Sequence, residues 1–92
     1  MVSHFAEQLE ETRRIRIELL AAMIEVSLHG KRKTRIMYEA SINPRDFADF
    51  LFFLIEKGLL EEIRNEGEKE YRATENGRSF LNSYREIVST LD

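Results

Sequence analysis

The stretch from Lys33 to Gly77 constrains the fold of this chain more than any other part of its sequence. Residues 33–40 have the apolar spacing of a short helix, and turn-forming residues follow at 41–44. A second apolar helical pattern continues to Gly58, and two short polar segments with strand character follow, separated by a turn that contains Gly67. The pattern predicts a short helix, a tight turn, a second helix and a two-stranded hairpin.

The second of these helices has the best-defined beginning. Asn43 is a preferred N-cap residue and Pro44 suits the first helical turn, while Asp46 complements the positive end of the helix dipole. We expect Gly58 to end the helix. Its buried face is predicted at four positions with i, i+3, i+4, i+7 spacing: Phe47, Phe50, Leu51 and Leu54.

A longer helix is predicted on each side of this unit. The first begins at about Phe5 or at Arg13 and ends at Leu28, before Gly30, a natural residue to follow a helix C-terminus. Its apolar stripe is wider than one core requires, so a second copy of the chain is the simplest partner for the excess. The last helix is capped by Thr74 and runs to about residue 91.

In the short helix at 33–40, Thr34 is a candidate N-cap, and Tyr38 is a candidate for the core beside the inward-facing Ile36 and Met37. The hairpin strands are predicted at 59–64 and 69–73, with a glycine at 67 free to take a positive φ in the turn between them. The packing residues of these strands are predicted to be Leu60, Ile63 and Tyr71.

These elements predict a mainly α fold with a small two-stranded β-hairpin, in the order α-α-α-β-β-α, which is the winged helix-turn-helix arrangement. We expect a single domain over residues 1–92. Within it, 1–12 is an N-terminal helical extension, 33–58 is the helix-turn-helix, 59–73 is the wing, and 74–92 is a C-terminal helix that forms a dimer.

Composition argues against several classes of function. The 92-residue chain has no cysteine, which removes disulfides, thiolate catalysis and cysteine-based zinc sites together. It has no glycine-rich loop for a nucleotide and no Ser-His-carboxylate spacing, so we predict a non-enzyme without a cofactor. Glu25 and His29 are spaced i, i+4 but lack a third ligand, so no metal site is predicted. No apolar run approaches the roughly 20 residues of a membrane span, and we expect a cytoplasmic protein.

The charges are unevenly distributed along the chain. The net charge is −3, which is not typical of a strong non-specific nucleic-acid binder. Four basic residues nevertheless fall within five positions, 31–35, and the acidic residues concentrate between 61 and 70. A basic edge is therefore predicted on an acidic protein.

The sequence resembles the small archaeal winged-helix DNA-binding proteins found in archaeal chromosomes and their viruses. The resemblance covers about residues 15–84, and it is carried by the Lys-Thr-Arg-Ile-Met-Tyr block at 33–38, the Leu-Ile-Glu-Lys-Gly-Leu step at 54–59, and Tyr71, Thr74, Glu75 and Gly77. It implies a homodimer, paired through terminal helices, that binds double-stranded DNA as a transcriptional regulator or chromatin component. It also implies that the third helix reads the major groove and that the wing contacts the backbone.

On this chain the resemblance places the reading helix at 44–57, with Arg45, Ala48, Asp49 and Phe52 on its outer face. The family usually has Lys or Gln at positions 48 and 49 and a polar residue at 52. Segment 43–58 carries two basic and three acidic residues here, a net charge of −1. An alternative function is therefore a winged helix reused as a protein–protein interaction module in a transcription or replication complex, with the partner bound through Phe52.

The candidate DNA-contacting residues form three groups, each with an alternative role. The segment 31–35 either binds phosphate or is a solvated loop; Arg45 either contacts DNA or pairs with Asp49; the basic residues of the wing either reach sugar-phosphate or pair across the strands. Phe52 either packs against the wing, forms a protein-binding patch or, less favoured, contacts a thymine methyl. The full set is Lys31, Arg32, Lys33, Thr34, Arg35, Asn43, Arg45, Ala48, Asp49, Phe52, Arg64, Lys69 and Arg72.

The dimer interface is predicted on the two terminal segments. The last helix has apolar residues stepping by 3, 4 and 3, a seam of under two heptads that needs a partner to be stable. The predicted interface residues are Phe5, Leu9, Leu81, Tyr84, Val88 and Leu91. The leading hypothesis is a homodimeric transcriptional regulator that binds duplex DNA with full or partial sequence specificity.

Overall fold

The computed structural model of the chain describes residues 16–92. The elements are helix α1, helical over 16–26, α2 (Lys33–Glu39), α3 (Pro44–Glu56), β1 (Leu60–Asn65), β2 (Glu68–Ala73) and α4 (Glu75–Leu91). The predicted fold class and the order α-α-α-β-β-α are confirmed. The extension predicted at 1–12, with Phe5 and Leu9, lies outside the described residues, as does the predicted start of the first helix.

Helix α1 ends at residue 26, two positions before the predicted end, because the chain turns toward the hairpin at Ser27. The Ser27 side chain is fully buried, and its Oγ donates to the Met23 carbonyl oxygen at 2.7 Å. The Ser27 carbonyl accepts from the Ala73 N–H at 2.9 Å, so strand β2 satisfies part of the helix end. Gly30 takes a φ of 95°, but it lies four positions after the last helical residue and so does not directly follow the helix end as predicted.

The two helices of the helix-turn-helix begin differently. At α3, Asn43 Oδ1 accepts from the Asp46 N–H at 2.9 Å, which confirms the predicted cap. At α2 the N-cap residue is Arg32, whose side chain makes no capping bond. The predicted cap by Thr34 is wrong, because Thr34 already lies inside the helix and a capping side chain must precede the first helical residue.

The core lies where α1, α2 and α3 meet the hairpin and the start of α4. Its fully buried apolar side chains are Met23, Ile24, Ile36, Leu54 and Leu60, and Phe47, Leu51, Tyr71 and Leu81 complete its centre. Three predicted core positions are less covered: Phe50, Met37 and Ile63 are half-buried. Tyr38 is 78% exposed, so its predicted core position is wrong; the short helix turns only one narrow face inward, at Ile36.

The wing is an antiparallel hairpin that pairs Leu60 with Ala73 and Asn65 with Glu68. Its two-residue turn, Glu66 and Gly67, has φ values of 53° and 83°. Positive φ at both positions matches the twist of the flanking strands, as in a type I′ turn. Each strand therefore extends one residue further toward the turn than predicted.

The loop before α2 is joined to strand β2 of the wing by a single antiparallel β-bridge. The Lys31 N–H donates to the Tyr71 carbonyl at 3.0 Å, and the Tyr71 N–H donates back to the Lys31 carbonyl at 2.8 Å. The sequence analysis did not anticipate this bridge. It fixes the beginning of the basic segment against the sheet, so the basic segment and the wing form one surface.

Helix α4 starts at a tight junction with the end of α3. The Thr74 Oγ1 accepts from the Gly77 N–H at 2.9 Å, which confirms the predicted cap, and donates to the Gly58 carbonyl at 2.6 Å. A Cβ atom at Gly77 would lie 2.1 Å from the Leu59 carbonyl oxygen, so only glycine allows this approach. None of the helices within 16–92 is long and apolar enough to cross a membrane.

Candidate nucleic-acid interface

The outer face of α3 is open to solvent. Arg45, Ala48, Asp49 and Phe52 are all exposed, on the side of the helix opposite the buried Phe47, Leu51 and Leu54. This orientation follows from the apolar periodicity, because the inward stripe turns every intervening residue outward. Phe52 is 68% exposed, so the alternative that its ring packs against the wing is wrong.

The exposed Arg45 does not form the ion pair that was its alternative role. No salt bridge joins Arg45 to Asp49, and no other carboxylate between residues 16 and 92 pairs with it. The neighbouring Asp46 is engaged instead with the Asn43 side chain, whose Nδ2 donates to Asp46 Oδ2 at 2.8 Å. The Arg45 guanidinium is therefore available to a ligand.

An open cleft of about 450 Å³ separates the outer side of α3 from α2 and the wing. Ala48, Phe52 and Ile55 line its α3 side, and Met37 and Tyr71 lie across from them. Its polar rim is provided by Lys33 and Thr34. The cleft thus brings together parts of the helix-turn-helix and of the wing that are up to 38 positions apart in sequence, between residues 33 and 71.

Three of the four cations of the basic segment 31–35 form ion pairs within the folded chain, with two carboxylates. Glu39 receives Lys31 Nζ at 3.0 and 3.1 Å and Arg35 Nε at 3.0 Å, and these hydrogen bonds, the one from Lys31 above all, lower the pKa of the Glu39 carboxyl. Arg32 lies 3.9 Å from Glu68 in the wing. No carboxylate among the described residues pairs with Lys33.

Two of the three basic residues of the wing, Lys69 and Arg72, adopt the second of their two predicted roles, whereas Arg64 does not. Arg72 pairs across the strands with Glu61 at 3.2 Å, and Lys69 pairs with Glu62 at 3.7 Å. Arg64 donates from Nη1 to the Gly67 carbonyl at 3.0 Å. All three side chains remain on the exposed surface, where such pairs contribute little net free energy and are screened by salt.

The end of α4 carries a second exposed apolar surface. Ile87, Val88 and Leu91 are 60%, 37% and 80% exposed, whereas Leu81 is buried in the core at 3%. Tyr84 is half-buried, and burial, with a smaller contribution from Glu18, raises the pKa of its hydroxyl. Ile87 lies alongside the seam predicted for this helix but is not among the predicted interface residues, although its spacing of four residues from Leu91 places it on this surface.

The two residues of the i, i+4 pair near the end of α1 have different surroundings. Glu25 is engaged by Arg85, whose Nη2 lies 2.7 Å from Glu25 Oε2, and this ion pair ties α1 to α4. His29 is exposed beyond the end of the helix. Within residues 16–92, no group of three or more metal-ligating side chains comes together.

Known proteins share this fold. The chain is 26% identical over 81 residues to the uncharacterized protein MJ0287 of the archaeon Methanocaldococcus jannaschii, covering 87% of this chain and 79% of that protein. The crystal structure of Sso10a-2, a DNA-binding protein from Sulfolobus solfataricus, superimposes with a TM-score of 0.72 at 23% identity, over 80% of this chain and 78% of that one.

A bacterial regulator gives a further structural match. Sco5413, a MarR family transcriptional regulator from Streptomyces coelicolor, matches with a TM-score of 0.66 at 18% identity, over 85% of this chain. The present chain spans 55% of that protein's length. At these identities the two structures establish a shared fold.

The sequence of the chain also matches the model of a protein family. The model, described as winged helix-turn-helix, matches residues 13–91 and so includes every helix and strand described above. The resemblance to small archaeal winged-helix proteins is confirmed by this match together with MJ0287 and Sso10a-2. The chain belongs to the winged helix-turn-helix family.

Proposed function

We propose that this chain binds double-stranded DNA and acts as a homodimeric transcriptional regulator. The observation that carries the proposal is the exposed outer face of α3, where Arg45 stands unpaired by any described carboxylate beside a cleft rimmed by Lys33. Helix α3 enters the major groove, with Arg45 and Ala48 nearest the bases and Asp49 and Phe52 beside them. A DNA-binding protein and a transcriptional regulator among the structural neighbours support this role.

Contacts with the phosphate backbone come from the basic segment and the wing. Lys33 is the first candidate, and Thr34 can join it because its hydroxyl caps no helix. Lys31, Arg32 and Arg35 contribute when phosphate replaces their glutamate partners, which costs little because these pairs are solvent-exposed. Arg64, Lys69 and Arg72 extend the same contact along the wing.

The dimer forms through the exposed end of α4. Val88 and Leu91, together with Ile87, offer an apolar surface, while Leu81 is already covered within the subunit and contributes to the core instead. Tyr84 lies at the boundary between the two. A two-fold dimer presents two reading helices, so the site is palindromic, with half-sites spaced by whole helical turns.

Fluorescence anisotropy of random-sequence duplex DNA, titrated at several salt concentrations, tests this function alongside the solution mass. We expect the mass of a dimer and an affinity that falls steeply with salt, because each neutralised phosphate releases condensed counterions. A protein that ignores duplex DNA even at low salt contradicts the proposal and favours the protein-interaction alternative.

The double substitution Arg32→Ala with Lys33→Ala identifies the backbone contacts. Binding should weaken for all sequences alike, and the plot of log K against log salt should flatten by about 0.9 for each lost contact. An unchanged slope would remove these two residues from the interface.

A further inference from the structure

The reading helix is poor in hydrogen-bond donors. Between Pro44 and Glu56, Arg45 is the only residue whose side chain can donate a hydrogen bond, and Asp46, Asp49 and Glu56 can only accept when ionised. The helix contains no Asn or Gln, the side chains that recognise adenine through two hydrogen bonds. Helix α3 therefore has few polar side chains with which to distinguish an A·T pair from other base pairs.

The same helix presents an apolar strip instead. Ala48, Phe52 and Ile55 follow one another at spacings of four and three residues, and all three are exposed, with 68% of Phe52 and 38% of Ile55 accessible. The strip forms the α3 side of the cleft. The Phe52 ring faces Met37 of α2 and Tyr71 of the wing across this cleft and stays largely exposed.

Cationic groups lie on both sides of this strip. Lys33 stands on the α2 rim of the cleft, and Arg45 lies on the outer face of α3, three residues before Ala48 and seven before Phe52. A duplex has the complementary profile across its major groove, where the phosphate strands border the base edges. The apolar group on those edges is the C5-methyl of thymine.

We infer that the strip formed by Ala48, Phe52 and Ile55 recognises thymine methyl groups, so that thymine positions specify the DNA site. The inference rests on the proposed DNA-binding function and adds which chemical group of the DNA is recognised. Burial of one methyl group against an apolar side chain strengthens binding by about fourfold, from the free energy of transferring one such group out of water. Phe52 is the principal contact because its ring is the largest exposed apolar group on α3.

Replacement of thymine by uracil tests this directly, because uracil lacks only the methyl group. Sites are first enriched from a random duplex pool by binding to the full chain, then resynthesised with either base and titrated by fluorescence anisotropy. We expect the uracil duplex to bind about fourfold more weakly for each methyl contacted. The salt slope should stay the same, since no phosphate contact changes.

Two phenylalanine variants assign the effect to the strip. Phe52→Ser should lose most of the preference for the thymine duplex, because Phe52 is the principal contact of the strip. Phe53→Ser is the matched control: Phe53 lies on the other side of α3, beside Asp49 and Phe50, with Lys57 Nζ 5.8 Å from its ring centre. This variant should keep the preference for thymine, and circular dichroism confirms that both variants are folded.

Each outcome separates the inference from the function beneath it. Equal affinity of the unmodified chain for thymine and uracil duplexes overturns the inference and leaves DNA binding intact. A thymine preference that is undiminished in Phe52→Ser also overturns it, since a group other than the principal residue of the strip must then carry the contact. An absence of binding to every duplex at low salt overturns the proposed function and the inference together.

Discussion

The basic segment 31–35 and helix α3 differ in whether their basic side chains are held in ion pairs. The segment 31–35 carries four basic residues, but Glu39 and Glu68 hold three of them in ion pairs. Helix α3 carries one basic residue, Arg45, and no described carboxylate pairs with it. The number of basic residues in a segment therefore differs from the number whose side chains form no ion pair with a described carboxylate.

The same two parts also differ in how they are held. Helix α3 is stabilised at its N-terminus by the Asn43 cap and along its inner face by a row of buried apolar side chains. Helix α2 has no side-chain cap and one fully buried residue, Ile36, and the bridge from Lys31 to Tyr71 fixes the loop before it. The geometry of α3 depends mainly on its own sequence, whereas that of α2 depends on the wing.

The largest expected effect concerns the inner and outer faces of α3. Leu54→Ala should lower the free energy of unfolding by about 2–5 kcal/mol, because the side chain is fully buried and its removal leaves a cavity. Phe52→Ala should change it by no more than about 0.5 kcal/mol, because the ring is 68% exposed. Urea denaturation of both variants measures the difference. A comparable loss of unfolding free energy in the two variants would mean that the Phe52 side chain is buried rather than exposed.

A smaller effect should separate the two helix beginnings. Asn43→Ala removes the cap of α3 and should cost about 1 kcal/mol of unfolding free energy. Thr34→Ala is the matched control at α2 and should stay within about 0.5 kcal/mol, because no capping bond is lost. Thermal and urea unfolding of the pair provide the measurement, and equal losses would contradict the contrast between a capped and an uncapped helix.

The smallest effect concerns the paired cations. Glu39→Gln should raise the affinity for DNA modestly, because phosphate no longer has to displace Glu39 from Lys31 and Arg35. Glu25→Gln removes the same charge and also breaks an ion pair, but at the contact between α1 and α4. This control should raise the affinity less.

Acid should reproduce the effect of Glu39→Gln. The folded-state pKa of Glu39 is lowered, so its ion pairs are intact above the ordinary glutamate pKa and are lost as the pH falls through the lowered value. The unmodified chain should approach the affinity of the variant only at a pH below the ordinary glutamate value. Anisotropy titrations of both proteins across that range provide the measurement, and convergence near neutral pH would show that Glu39 does not hold these cations.

Several elements of the candidate site were predictable from sequence because their signals are local. The Asn43 cap, the Thr74 cap and the glycine turns depend on bonds within about four residues, and the apolar period of α3 fixed which of its faces points outward. The exposure of Arg45, Ala48 and Asp49 followed from that period, whereas Phe52 was left open between packing against the wing and exposure. Tyr38 failed because a seven-residue helix is too short for its period to define how wide a face is buried.

The sequence by itself determined the order of the elements, the boundaries of α3 and the family to which the chain belongs. Only the tertiary structure decided which charges are available, because Glu39 reaches Lys31 across eight positions and Glu68 approaches Arg32 from the wing. It also decided that Gly77 must meet the Leu59 carbonyl and that Leu81 belongs to the core. Caps and periods arise from neighbouring residues, whereas ion pairing and burial arise between elements that meet only once the chain has folded.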